Sequence, residues 1–72
     1  MAMSGSHLDA GVEELVRVLR GYRVLTRPRL RDAVDGAEWP DGMFEHALKR
    51  AIKQGRVLRL TDELLEIGPH ER

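Results

Sequence analysis

The stretch from Asp41 to Ile67, DGMFEHALKRAIKQGRVLRLTDELLEI, constrains the fold most, because it reads as a helix, a glycine stop and a β-hairpin in direct succession. Phe44, Ala47, Leu48, Ala51 and Ile52 recur three and four residues apart and so share one helix face. Gly55 ends this helix, since glycine takes a positive φ without a side-chain penalty, and Lys53 in the last turn suits the negative end of the helix dipole. Two β-compatible runs follow, Arg56 to Leu60 and Leu64 to Ile67. With Asp62 and Glu63 in the turn, or with a four-residue loop from Thr61 to Leu64, Leu60 faces Leu65, Arg59 faces Glu66 and Leu58 faces Ile67. Apolar pairs then lie on one side of the hairpin and an Arg59–Glu66 ion pair on the other. Asp-Glu is a poorer two-residue turn than Asp-Gly, because a primed turn needs positive φ at its centre.

The rest of the chain divides by its punctuation. A first helix is expected over about Asp9 to Arg20, with Leu8, Val12, Leu15, Val16 and Leu19 on one face, Ser6 or Asp9 as N-cap and Gly21 as stop. Val24 and Leu25 form a very short extended piece. Thr26 caps a second helix with Pro28 in its first turn and Leu30, Ala33 and Val34 as its apolar face, ending by Asp35-Gly36. Ala37 to Pro40 lead into the third helix, which starts at Pro40 or Asp41. Residues 1–7 read as a flexible arm, 8–68 as the domain and 69–72 as a tail. The expected core is Leu15, Leu19, Leu30, Val34, Phe44, Leu48, Ile52, Leu58 and Ile67.

The resulting order is helix, short strand, helix, helix, strand, wing, strand: a mainly α chain with a small antiparallel β-hairpin. It resembles the winged helix-turn-helix superfamily, most specifically in ALKRAIKQGRVLRLTDELLEIG, where an alanine-leucine helix end and basic residues run through a glycine into a first wing strand. The resemblance covers roughly residues 8–68 and is one of order and spacing, so it names no subfamily. It implies that the third helix is a recognition helix, that the second braces it, and that the hairpin is a wing.

Several kinds of chemistry are excluded by what the chain lacks. With no cysteine, disulfides, thiolate metal sites and cysteine nucleophiles are ruled out. His7, His46 and His70 have no second ligand at metal-site spacing, so no metal or other cofactor is expected. Ser4 and Ser6 sit near the start, no nucleophile elbow or glycine-rich phosphate loop is present, and no catalytic activity is expected. The start lacks a basic segment followed by an apolar run, and no apolar run approaches the ~20 residues of a membrane span. A cytoplasmic protein is the expectation.

Formal charge sums to zero but is sorted along the chain. Arg17, Arg20, Arg23, Arg27, Arg29 and Arg31 follow one another with no intervening acid; five acids run from Asp32 to Glu45 with no lysine or arginine among them; Lys49, Arg50, Lys53, Arg56 and Arg59 form a second basic block. Asp62, Glu63, Glu66 and Glu71 close the chain with a final acidic one. Duplex DNA is the preferred partner on this pattern, with Gly42, His46, Lys49, Arg50 and Lys53 presented by the third helix to the major groove and Arg27, Arg29 and Arg31 reaching phosphates. Glu45 either accepts from a cytosine amino group or pairs with Lys49.

The opposing features are the acidic Asp62-Glu63 tip and the zero net charge. Arg31 with Asp35, Arg29 with Asp32 and Arg59 with Glu66 are available as ion pairs, which would leave the basic blocks neutralised. The competing reading is a docking module of a larger assembly, contacted at Trp39, Met43 or the acidic wing. RNA is disfavoured, since few aromatics are available to stack on bases. A domain of 72 residues would need a second copy, as a homodimer, to read a long DNA site.

Overall fold

The computed structural model describes residues 3–71, with side chains from His7 onward. Three helices pack on one face of a small antiparallel sheet: α1 (Met3–Tyr22), β1 (Val24–Thr26), α2 (Arg27–Ala33), α3 (Met43–Lys53), β2 (Val57–Arg59) and β3 (Leu64–Ile67), with short 3-10 turns at Gly36–Glu38 and Pro69–Glu71. The sheet order is β1-β3-β2, so the last strand is central and the short piece at Val24 is a true edge strand. Of the arm expected over 1–7, Met1 and Ala2 lie outside the described residues and the backbone is helical from Met3; of the tail, Arg72 lies outside them.

α1 corrects two expectations about its ends. Ser6 and Asp9 lie inside it rather than capping it, and Gly21 is a helical residue that does not stop it. The stop falls at Arg23, which takes the left-handed conformation at φ +75°. That conformation costs a non-glycine residue roughly 1 to 2 kcal/mol. The sheet holds it there: the Arg23 carbonyl accepts from Ile67 N–H at 2.9 Å, joining the helix end to β3.

The second and third helices follow their local signals. Thr26 is the N-cap of α2, its hydroxyl accepting from Arg29 N–H at 3.4 Å, with the proline in the first turn. α3 starts at Met43, later than expected, with Gly42 as its N-cap. At the other end Gly55 takes φ +76°, Gly55 N–H reaches Ile52 O and Arg56 N–H reaches Ala51 O, both at 3.0 Å. These are the two bonds of a Schellman cap. Gly68 packs on this cap: its N–H donates to Arg56 O at 2.8 Å, and a methyl group on it would come within 2.3 Å of Gly55 O. Only a residue without a side chain fits between the end of β3 and the end of α3.

The hairpin register differs from the expected one by a single residue. Val57 faces Ile67, Leu58 faces Glu66 and Arg59 faces Leu65. The cause is a three-residue loop, Thr61 to Glu63, in which the Thr61 hydroxyl accepts from Glu63 N–H at 3.3 Å and Leu64 N–H at 3.1 Å. An odd loop shifts the pairing by one, and one step turns every side chain to the other face. Val57, Leu65 and Ile67 therefore point into the core, and Arg59 and Glu66 lie on opposite faces.

Val12, Leu15, Val16, Leu19, Leu30, Val34, Phe44, Ala47, Leu48 and Ala51 complete that core. Of the expected core residues, Ile52 and Leu58 are only half-buried, Ile52 against the core and Leu58 on the outer side of the sheet. Trp39 lies over the helix turn as a half-buried lid, its ring tilted 54° to that of Phe44 with centroids 6.1 Å apart. No described helix is long and apolar enough to cross a membrane.

An ion network fastens the C-terminal turn. Arg56 bridges Glu13 of α1 and Glu71, with Nε to Oε2 of Glu71 at 2.9 Å, and Arg20 Nη2 reaches Glu71 Oε1 at 2.6 Å. The hydrogen bond from Arg56 lowers the Glu13 carboxyl below its ordinary value of 4.5, and the bonds from Arg56 and then Arg20 do the same for Glu71. Both folded values are depressed, so this stabilisation is present above the ordinary carboxylate value and is lost as pH falls through the folded ones. An acid titration followed by amide shifts should release Pro69–Glu71 before the core opens, and Arg56→Gln should remove that early step. A turn whose shifts change only together with the core would contradict the assignment.

Candidate nucleic-acid interface

α3 is amphipathic in the way its spacing requires, and the side away from Phe44, Ala47, Leu48 and Ala51 carries the chemistry. Glu45, His46, Lys49 and Lys53 are exposed there. Arg50 is not equally available: half-buried between α3 and α1, it places Nη1 2.8 Å from Asp9 Oδ1. Among the described residues, no carboxylate lies within ion-pair distance of Lys49 or Lys53.

The arginines expected at phosphates separate into three situations. Arg27 reaches across to α3, with Nη1 3.0 Å from Glu45 Oε1, so Glu45 is paired with α2 rather than with Lys49. The Arg27 Nε is buried with no hydrogen-bond partner among the described residues. Arg31 is exposed and borders a hollow shared with Gly42 and Glu45 at the start of α3. Arg29 lies elsewhere, beside Tyr22 and Leu25, away from α3. The local pairs Arg29–Asp32 and Arg31–Asp35 do not form among the described residues.

The shifted register adds a residue that the sequence had set aside. Arg59, expected to be neutralised by Glu66, faces Leu65 at the end of β2 and is exposed. It borders the same hollow as Arg27, Glu45, His46 and Lys49. A second hollow, lined by Leu8, His46, Lys49, Arg50 and Lys53, continues along α3. His46 and Lys49 belong to both, so the side chains form one strip from Arg31 and Gly42 through Arg59 and Lys49 to Lys53. Only a correct register would have pointed to Arg59, and register is set by a loop geometry that residue types do not reveal.

No family model, curated protein or solved structure matches the chain. The strip must therefore be read from its own chemistry. It presents the cations Arg31, Arg59, Lys49 and Lys53, the ring of His46 and the backbone at Gly42, with Glu45 already neutralised by Arg27. Such a surface attracts a polyanion and supplies donors to it. Among the described residues no group of three histidine or acidic side chains is placed to hold a metal ion.

Proposed function

We propose that this chain is a winged-helix domain that binds duplex DNA through the exposed side of α3, as a small cytoplasmic transcriptional regulator would. The observation that carries the reading is the strip of Lys49, Lys53, His46 and Arg59, exposed together and free of carboxylate partners among the described residues. The element order and the β1-β3-β2 sheet support it, since α2, α3 and the β2–β3 hairpin follow one another in the order in which a bracing helix, a recognition helix and a wing would stand. In this arrangement the wing contributes through Arg59, the last residue of β2 and the one that borders the α3 strip. Arg27 and Arg50 act indirectly, Arg27 holding α2 against α3 through Glu45 and Arg50 holding α3 against α1 through Asp9.

The test is an amide-shift titration of labelled protein with random duplex DNA at low and moderate salt. Shifts should cluster on residues 42–53 and on Arg59, and the affinity should fall steeply as salt rises, because phosphate contacts release counterions. Absence of shifts at low salt would remove the DNA reading. The docking reading would then stand on Met43 and the acidic hairpin tip, because Trp39 packs on the core as a lid.

A further inference from the structure

The helices cover one face of the sheet and leave the other open. On the open face the register aligns Val24, Glu66 and Leu58 in one row, and Thr26 and Leu64 in the next. Leu60, just past β2, donates its N–H to Leu64 O at 2.8 Å and so extends the second row. Val24 is 39% exposed and Leu60 49%. Leu58 and Leu64 are half-buried, yet the half-buried side chains that pack on the core are Leu8, Val18, Leu25, Trp39 and Ile52. Four aliphatic side chains thus lie around Glu66 on this face, two of them exposed and two half-buried. An uncovered aliphatic sheet face is a docking feature when it has a partner to match.

Charge indicates the kind of partner. The loop that borders this face carries Asp62 and Glu63, both exposed and, among the described residues, without an ion-pair partner. No lysine or arginine lies among the six residues of the face. A second copy packed face to face would bring the same aliphatic surface and the same acidic tip, with no lysine or arginine among those six residues to meet it. We infer that the outer face of the sheet docks an amphipathic helix of aliphatic and basic residues, its apolar stripe across Val24, Leu58, Leu60 and Leu64 and its lysines or arginines toward Asp62 and Glu63. This surface is separate from the α3 strip, so the inference stands independently of DNA binding.

The test uses the full chain with methyl-labelled valine and leucine, titrated with a synthetic helical peptide of leucine and lysine that has one apolar stripe. The controls are a peptide of the same composition with the stripe scrambled and a leucine–glutamate peptide with the stripe kept. Methyl shifts at Val24, Leu58, Leu60 and Leu64 are expected with the striped lysine peptide alone. Leu60→Lys and the double change Asp62→Lys with Glu63→Lys should each weaken binding at least about tenfold, both sites being exposed and tolerant of substitution. No methyl shifts with the lysine peptide, or equal shifts with the glutamate peptide, would overturn the inference. So would sedimentation showing a dimer that Leu60→Lys converts to monomer, because the occupant would then be a second copy.

Discussion

Leu48→Ala should cost about 2 to 5 kcal/mol, the range for truncating a buried leucine whose surroundings collapse only in part. Leu48 is 2% exposed in the middle of α3, in the same buried cluster as Phe44, Ala51 and Val57. A domain of 72 residues has a total stability of roughly 4 to 11 kcal/mol, so this single change removes a large part of it. Urea unfolding followed by far-UV circular dichroism reads the effect: the midpoint should drop by about a fifth or more with an unchanged slope. A midpoint within error of the parent would mean that α3 does not pack on the sheet through Leu48.

On the proposed DNA reading, reversing two charges on α3, Lys49→Glu with Lys53→Glu, should reduce duplex DNA affinity on the order of a hundredfold at low salt, since each change would remove a phosphate contact and substitute a repulsion. The fold should survive, because both side chains are exposed and unpaired among the described residues. Arg50 is a poorer choice for this test, because its loss also breaks the contact with Asp9 and loosens α1 from α3. Unchanged DNA binding in the double variant, with circular dichroism like that of the parent, would refute the α3 interface. A single Lys49→Ala should lower the salt slope by about one unit if Lys49 meets a phosphate, and should flatten sequence preference if it meets a base.

What could be read from residues alone was whatever local chemistry decides. The α3 face, the Gly55 stop and the Thr26 cap each depend on side chains within one or two turns, and each is found where the spacing places it. Exposure of Lys49 and Lys53 follows from the same periodicity, since burying Phe44, Ala47, Leu48 and Ala51 leaves those positions to solvent.

Tertiary structure decided the rest. The hairpin register turned on the Thr61 hydroxyl bonding to Glu63 and Leu64, which makes the loop odd in length, buries Val57, turns Leu58 outward and frees Arg59. The end of α1 fell at Arg23 rather than Gly21, because the Arg23 carbonyl meets β3 some forty residues further along. Arginine partners were beyond local reach for the same reason. Arg50 and Asp9 are 41 residues apart and Arg20 and Glu71 are 51 apart, so which cations stay available to a ligand depends on how the helices pack. Periodicity fixes which side of a helix is wet, whereas pairing across distant segments depends on geometry that exists only once the chain is closed.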